Sequence, residues 1–515
     1  MSGHVDTHSL DDDDMMDSDA LDDLNDFDDE DNGKEDYFDD EDANFLPVLA
    51  EREIRKPYDT DFVVYSPAEI LQFQQSEIVQ VSGILGCCTA IAATLLRHFH
   101  WNKERLIESY MDDCDKVAVD AGVIMDASQQ PKPTVIEGFE CDICCNNDTG
   151  LMTLALSCHH RFCVDCYRHY LTLKIAEEGE SRRIRCPASG CCIIVDEKVV
   201  ESVVIPAIYQ KYQDLLMRTY VDDNIYLKWC PAPNCEYAVE CKVHQDQLKE
   251  LVPAVTCRCG HTFCFGCSLP NHQPCICYIV KFWIKKCEDD SETANWISAN
   301  TKECIKCSTT IEKAGGCNHM TCRKCKHEFC WVCMGPWSEH GTSWYSCNRF
   351  EEKSGIDARD AQARSRVALE RYLHYYNRYA NHDQSAKLDR ELFEKMEKKM
   401  NHMQDSSELS WIEVQFLNKA VEVLQLSRMT LKWTYCFAYY LVRNNATQLF
   451  EDNQSDLEMA VEALSELIEQ PIDPTTVSKT KQLVLDKMAY VSSRREILLV
   501  DTSKGLLEGR WKFTI

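Results

Sequence analysis

The chain has no excess of basic residues. Its 515 residues include 55 Lys and Arg against 85 Asp and Glu, which gives a formal net charge of −30 at pH 7. Much of this charge lies at the start, because 20 acidic residues and a single base, Lys34, precede Asn44. A protein that binds phosphate backbones or anionic membranes needs a basic surface. The composition therefore argues against nucleic acid and against membranes as partners.

The sequence also lacks a secretory signal and a convincing membrane span. Its N-terminus is acidic, without the basic and then apolar segments of a signal peptide, so we expect a cytoplasmic protein that also enters the nucleus. Residues 78–96 form a run of 19 uncharged residues. This run is close to the roughly 20 residues that cross a bilayer, but Gln, Ser, Gly and Thr dilute it. We expect no membrane span there.

Helix-breaking residues are scarce after Cys347, where only three Gly and two Pro occur in 168 residues. Apolar residues in this part recur at helical spacing, as in the segment 367–379. An all-helical C-terminal domain is therefore predicted over 350–515.

Two segments near the N-terminus differ in composition and in the structure that they predict. Residues 1–43 are rich in Asp and poor in aliphatic residues, so they cannot bury enough apolar surface to fold and are predicted to be disordered. Residues 78–125 carry Leu95, Leu96 and Phe99 at helical spacing, with a second such set after Trp101. This second segment predicts a small three-helix module.

Cysteine is plentiful in the middle of the chain, where 27 of the 31 Cys lie between Cys141 and Cys347. Their short, fixed spacings with interleaved His indicate zinc sites rather than disulfides, and free thiolates imply a reducing compartment. Twenty-one Cys and three His form three clusters of eight ligands, enough to close six tetrahedral sites. Complete shells leave no position for a reactive water, so we expect six structural zinc ions. The predicted ligands are Cys141, Cys144, Cys158, His160, Cys163, Cys166, Cys186 and Cys191; Cys230, Cys235, Cys257, Cys259, Cys264, Cys267, His272 and Cys277; and Cys304, Cys307, Cys322, Cys325, Cys330, Cys333, His340 and Cys347.

Six Cys of this region remain outside the ligand sets: Cys145, Cys192, Cys241, Cys275, Cys287 and Cys317. Cys317 differs from the others because it follows two glycines, which favour a loop that lifts the thiol off the surface, and precedes His319 by two residues. A thiol beside an imidazole is a candidate nucleophile. Spacing alone leaves two readings open, a nucleophile or an inert or ligating thiol in a turn.

The three zinc clusters, the TIEK segment at 310–313 leading into GGCNHM, and FCWVC at 329–333 resemble the RING-in-between-RING ubiquitin ligases. The resemblance covers about residues 137–350. It implies a multidomain chain with small zinc-stabilised α+β modules. These are a first RING at 137–195, an in-between-RING module at 205–277, a helical linker at 278–300 and a second RING at 301–347.

The flanking segments resemble the Ariadne subfamily. The module at 78–125 is similar to an N-terminal three-helix ubiquitin-associated-like domain, and 360–366, 411–417 and 450–454 are similar to parts of a C-terminal all-α Ariadne domain. In that subfamily the Ariadne domain covers the catalytic cysteine at rest, and Phe450 and Glu451 match part of the contact. The last helix carries Ser492 where a glutamate is expected. This departure bears on how strongly the Ariadne domain is held over the catalytic cysteine at rest.

The resemblance implies a ligase that binds a ubiquitin-loaded conjugating enzyme through its first RING, with Ile143 on the contact surface. Ubiquitin then passes to Cys317 as a thioester and on to lysines of a protein substrate. His319 matches the family's general base, and Glu328 matches the acid associated with it. A cullin complex that carries a ubiquitin-like modifier is a further expected partner, at the ubiquitin-associated-like module.

Two other functions compete with this one. The first is a non-catalytic zinc scaffold that only recruits a conjugating enzyme, with Cys317 structural. The second is a zinc-array nucleic-acid binder that uses Lys281, Lys285 and Lys286 with Trp283. This group fits one face of a solvated helix better, and the charge balance disfavours nucleic acid. The exclusion of Cys317 from a complete ligand set favours the ligase.

Overall fold

The computed structural model describes residues 55–124, 131–289, 301–313, 315–340, 347–350, 361–404, 415–470 and 477–515. The predicted disordered tail at 1–43 and the end of the predicted linker, 290–300, lie outside these residues. The similarity at 411–417 also falls mostly outside them.

The N-terminal module contains four helices in its described part, and the first of them begins at Pro67, before the predicted start of the module at 78. Ser66 caps the first helix: its Oγ accepts from the Glu69 N–H, while the Glu69 carboxylate accepts from the Ser66 N–H at 2.6 Å. The early turns escape a search for apolar periodicity because much of their sequence is polar. The helices are α1 (Pro67–Leu85), α2 (Thr89–His98), α3 (Lys103–Asp112) and α4 (Cys114–Ala121).

No single helix in the described ranges is long and apolar enough to cross a membrane. The pair α1 and α2 meets the length and composition test when taken together, but the two are bent by 104°. The uncharged run at 78–96 spans their junction.

The zinc-module region consists of short antiparallel strands with a few helices between them. The sheets have the orders β2-β3-β4, β1-β6-β5, β7-β8, β9-β10 and β11-β12. The strands are β1 (Phe62–Tyr65), β2 (Thr134–Val135), β3 (Met152–Ala155), β4 (Arg161–Cys163), β5 (Leu227–Trp229), β6 (Ala238–Cys241), β7 (Ala254–Thr256), β8 (Thr262–Cys264), β9 (Thr301–Glu303), β10 (Thr310–Glu312), β11 (His319–Thr321) and β12 (Glu328–Cys330). The helices are α5 (Val164–Ala176), α6 (Glu197–Val203), α7 (Pro206–Asp223) and α8 (Cys277–Asp289).

The modules share cores rather than standing apart. Trp101 of the N-terminal module packs edge-on against Tyr220 of α7, with ring centroids 4.7 Å apart. Strand β1, which precedes the module, pairs with β6 of the in-between-RING region along its whole length. The N-terminal module is therefore fixed to the zinc region by both side chains and backbone.

In its described ranges the C-terminal domain is helical apart from its connections and residues 508–515, which confirms the prediction from its lack of glycine and proline. Its core also takes in α8, because the fully buried Trp283 of that helix packs among Tyr372, Tyr379 and Tyr439. The C-terminal helices are α9 (Ala361–Gln404), α10 (Gln415–Tyr440), α11 (Asn445–Glu469) and α12 (Val477–Leu507).

Trp283→Ala tests this attachment. Removing a buried aromatic side chain costs about 3–5 kcal/mol, so the C-terminal unfolding step should move to lower denaturant concentration. The neighbouring Phe282→Ala is the matched control, since Phe282 is 51% exposed and Trp283 is fully buried. Equal midpoints for the two variants in denaturant melts followed by circular dichroism would contradict the packing described here.

Candidate active site

The predicted ligands come together in groups of four. Five such groups have all their ligand atoms within 4.8 Å of one another. They are Cys141, Cys144, Cys163 and Cys166; Cys158, His160, Cys186 and Cys191; Cys230, Cys235, Cys257 and Cys259; Cys264, Cys267, His272 and Cys277; and Cys304, Cys307, Cys322 and Cys325. The remaining predicted set is Cys330, Cys333, His340 and Cys347, in which Cys333 Sγ lies 3.0 Å from His340 Nε2.

The chemistry of these groups fits zinc. The Nε2 atom of His272 faces Cys267 Sγ at 3.1 Å, while its Nδ1 contacts the Cys275 carbonyl oxygen at 2.6 Å. Histidine ligands of metals typically bond a carbonyl through their other ring nitrogen in this way. His340 repeats the arrangement with the Pro336 carbonyl oxygen, 3.2 Å from Nδ1. These groups are therefore suited to hold zinc as structural sites with no open corner.

The order of the ligands differs between the modules. In the first module the two groups interleave along the chain, so Cys158 and His160 fall between the ligand pairs of the other group. In the two later modules each group is contiguous in sequence. Losing one ligand of the first module therefore disturbs a scaffold shared by both sites, whereas the later sites are closed separately.

Cys317 lies in none of the ligand groups named above, as the sequence predicted. It sits in the loop at 315–318, which joins β10 to β11 in the last zinc module. The backbone N–H of His319 donates to Cys317 Sγ at 3.3 Å. This donor favours a thiolate at the position where a nucleophile needs one.

The Cys317 thiol is covered by the C-terminal domain in this structure. Cys317 is only 5% exposed. Side chains on Gly315 and Gly316 would overlap the carboxylates of Glu469 and Asp389, respectively. The glycines therefore leave room for acidic groups of the C-terminal domain to approach the loop.

Carboxylates of α11 hold the backbone of the loop. Glu469 accepts from the Cys317 N–H at 2.9 Å. Glu462 accepts from the Asn318 N–H at 2.5 Å and from the Asn318 side-chain amide at 2.9 Å. We call the three acids Asp389, Glu462 and Glu469 the cover.

Two buried cations balance the cover. Arg428 of α10 bonds Asp389 at 2.5 Å and Glu462 at 3.1 Å. Lys313, in the zinc module, donates to the Gly316 carbonyl, to Asn318 and across to Asn381 and Ser385 of α9 at 2.7–3.2 Å. The interface over the nucleophile is thus a buried network of charges and hydrogen bonds.

The cover places the Cys317 thiol in a buried and negatively charged environment. Burial, followed by the negative charge of Glu462, raises the pKa of Cys317 well above its ordinary range. Burial likewise raises the pKa of the Glu469 carboxyl and lowers the pKa of Lys313 to about 8. In this arrangement Cys317 is a neutral thiol and a poor nucleophile.

The predicted base and acid lie together. His319 Nε2 is 3.5 Å from the Glu328 carboxylate on the paired strand β12, and Nδ1 is 3.7 Å from Glu466 of α11. The face of the imidazole stacks on Trp337, with ring centroids 4.3 Å apart and an angle of 8° between the planes. The sequence analysis identified His319 and Glu328 but missed Trp337 and Glu466.

The predicted part of Phe450 and Glu451 in the resting contact stays a prediction, and their described contacts lie away from Cys317. Phe450 points into the helical core against Phe437 and Trp511. Glu451 faces Arg349, beyond the last zinc ligand, so it belongs to the same domain interface but not to the contact over the thiol. The cover lies instead on α9 and on another face of α11.

Acidic residues at 462, 466 and 469 recur at i, i+4 and i+7 along α11, a spacing that places them on one helical face. This is the signal that could have located the cover, although such a stripe is usually solvated. Ser492 is exposed on α12, whereas the described contacts to the loop come from α9 and α11.

Two other predicted positions have the expected environment. Ile143 is 50% exposed between the first two ligands, where a partner can reach it. The predicted ligand Cys277 joins its group. The Sγ atom of Cys275 lies instead 3.4 Å from Cys436 Sγ of α10.

Family models match four parts of the chain. The UBA-like domain of the E3 ubiquitin-protein ligase ARIH1 matches residues 72–112, and the IBR domain, described as a half RING-finger domain, matches 210–277. A second IBR match covers 299–348, and the Ariadne domain matches 370–492. The order of these matches is the order of the modules in the structure.

Relatives match over most of their length. The chain is 54% identical to the E3 ubiquitin-protein ligase dbl4 of Schizosaccharomyces pombe over 466 residues, 90% of this chain and 92% of that protein. It is 44% identical to ariadne-1 of Drosophila melanogaster, over 94% of this chain and 97% of that protein. Identity to human ARIH1 is 45%, over 88% and 82%, respectively. The chain therefore belongs to the Ariadne family of RING-in-between-RING E3 ubiquitin-protein ligases.

Proposed function

We propose that this ubiquitin ligase works through a thioester on Cys317 and is held at rest by the cover. The observation that carries the proposal is the position of Cys317, a thiol outside the zinc ligand groups, placed beside a histidine and enclosed by carboxylates of the Ariadne domain. A cysteine with only a structural role would need neither a neighbouring histidine nor enclosure by carboxylates. This favours the ligase with a covalent intermediate over a scaffold that only recruits a conjugating enzyme.

The chemistry consists of two acyl transfers. In the first, the Cys317 thiolate attacks the carbonyl carbon of the ubiquitin thioester on the conjugating enzyme, whose cysteine thiolate leaves. In the second, a substrate lysine attacks the new thioester, gives up a proton and releases the Cys317 thiolate. His319 is the group we assign to accept that proton, with Glu328 able to stabilise the imidazolium.

Several finer features belong to the same proposal. The six ligand sets would hold six zinc ions, and the exposed Ile143 would contact the conjugating enzyme. A cullin that carries a ubiquitin-like modifier would bind the module formed by α1–α4. We place the protein in the cytoplasm and also the nucleus, where thiolate ligands stay reduced.

Zinc content tests the ligand assignment. The purified protein should contain six zinc ions per chain, because the assigned ligands close six four-coordinate shells. Chelation should unfold the region 141–347, since the binding energy of structural zinc is part of the folding energy. Elemental analysis that finds three or fewer ions per undamaged chain would reject the assignment.

Substitution of Cys317 separates the ligase from the scaffold. Cys317→Ala should abolish ubiquitin transfer but leave binding of the conjugating enzyme intact, because the first RING is a separate zinc module. Cys317→Ser should accumulate an adduct that resists thiol reductants and yields to alkali, since an oxyester is a poorer acyl donor than a thioester. Substrate ubiquitination by Cys317→Ala at the wild-type rate would establish the scaffold instead.

Release of the cover should activate the ligase. Glu462→Ala removes the acceptor of both Asn318 hydrogen bonds and one of the two carboxylates that pair with Arg428, which weakens the closed state and so favours the separated one. We expect two rates to rise by at least about tenfold: the rate of autoubiquitination, and the rate of Cys317 alkylation as measured by peptide mass spectrometry.

Glu422→Ala, an exposed acid on α10, is the control for this experiment and should change neither rate. Point substitutions are preferable to deletion of the Ariadne domain, because deletion would also expose Trp283 on α8. If Glu462→Ala keeps its fold and zinc but reacts at the wild-type rate, the cover is not the brake.

A further inference from the structure

Three aromatic rings of the last zinc module, those of His319, Trp337 and His340, lie nearly parallel. Trp337 stacks on His319 through one face, with centroids 4.3 Å apart and an angle of 8°. It also lies parallel to the zinc-ligand residue His340, at 5.8 Å and again 8°. His340 is in turn oriented by the Pro336 carbonyl and by its place in the ligand set. The plane of the His319 ring is thus connected to a rigid zinc site.

The carboxylates near His319 hold its ring less firmly. The distances to Glu328 and Glu466 are 3.5 and 3.7 Å, and both acidic side chains are more than half exposed. Contacts of this length between exposed groups fix orientation poorly. The face-to-face contact with Trp337 therefore restricts the plane of the His319 ring more tightly than the carboxylates do.

The contact with Trp337 also survives activation. Glu466 lies on α11, so it leaves His319 when the Ariadne domain separates from the zinc module. Trp337 belongs to the zinc module itself, in a short 3-10 turn at Trp337–Glu339 between Cys333 and His340. It can therefore hold the imidazole in the open enzyme, where transfer to substrate takes place.

Orientation matters because the lone pair of an imidazole nitrogen lies in the ring plane. A general base must bring that lone pair within about 2.6–3.2 Å of the proton it accepts. Stacking on Trp337 leaves the ring edge open and restricts the plane, which lowers the cost of reaching the productive geometry.

We infer that Trp337 is a positioning residue for the transfer of ubiquitin from Cys317 to lysine, acting by holding the His319 ring in a fixed plane. The inference rests on the role proposed for His319. It predicts that Trp337 matters for discharge of the Cys317 thioester and not for its formation, because only discharge requires a proton to be taken from an amine.

The test compares the two steps in the full-length chain, in the wild-type background and with Glu462→Ala to open the cover. A preloaded conjugating enzyme is mixed with each variant, formation of the Cys317 thioester is timed, and its decay is then followed after addition of free lysine. Trp337→Phe keeps an aromatic face, and Trp337→Leu fills part of the same space without one. Zinc content is measured for every variant.

We expect Trp337→Leu to slow discharge about tenfold while formation stays within about twofold, since general-base catalysis contributes about 10²–10⁴-fold and misorientation removes part of it. Trp337→Phe should restore most of the discharge rate. Trp331→Phe is the matched control, because the Trp331 ring contacts Lys302 in the same module and should show no selective effect on discharge.

His319→Ala distinguishes an error in the base role of His319 from an error in the positioning role of Trp337. If it discharges at the wild-type rate, the proposed base is wrong. If it discharges slowly while Trp337→Leu and Trp337→Phe behave alike, the base stands and the positioning role of Trp337 is overturned. A Trp337→Leu variant that slows both steps equally would show a merely structural residue and would also overturn the inference.

Discussion

The buried charges over Cys317 are the constraint on which the resting structure depends. Two cations, Lys313 and Arg428, face the three carboxylates of the cover in a region that is largely closed to water. Moving such charged groups out of water costs nearly as much free energy as their mutual attraction provides. A buried ion network therefore contributes specificity more than stability. An interface of this kind fixes one arrangement of the loop and can still be separated.

The strong attachment of the Ariadne domain lies elsewhere. Its aromatic core encloses Trp283 of α8, an apolar contact of the kind that contributes most of the stability of domain interfaces. The last zinc module is held by the polar network instead, together with contacts such as that between Asn348 and the Glu451 carbonyl. When the enzyme opens, the element expected to part from the helices is therefore the zinc module, while α8 stays with the Ariadne domain.

The sequence predicted the parts of the molecule that are set by local chemistry. Zinc ligands such as Cys322 and Cys325 are recognisable because a metal demands fixed residue types at short spacing, and Cys317 stood out as the thiol that these sets did not use. The helical C-terminal domain followed from missing helix breakers. His319 and Glu328 came from a motif, and strand pairing of β11 with β12 brings them together.

The cover was not predictable by the same means, because distant contacts decide which acids are buried. Nothing in the local sequence distinguishes Glu462 from a solvated acid; its burial depends on a loop 144 residues earlier in the chain. The motif at 450–454 drew attention to α11, where the ring of Phe450 packs in the apolar core. Likewise, the first two turns of α1 begin with a polar cap that hides them from a search for apolar periodicity.

Cys317 lies far from the acids of its cover along the sequence, and this distance has a consequence during synthesis of the protein. The last ligand of the catalytic zinc module is Cys347, so that module can close long before the ribosome has made Glu469, which lies 152 residues after Cys317. At translation speeds of about 5–20 residues per second, the 122 residues from Cys347 to Glu469 take about 6–24 s. Each nascent chain can therefore present the proposed nucleophile in a closed zinc module before the carboxylates that bury it have been translated.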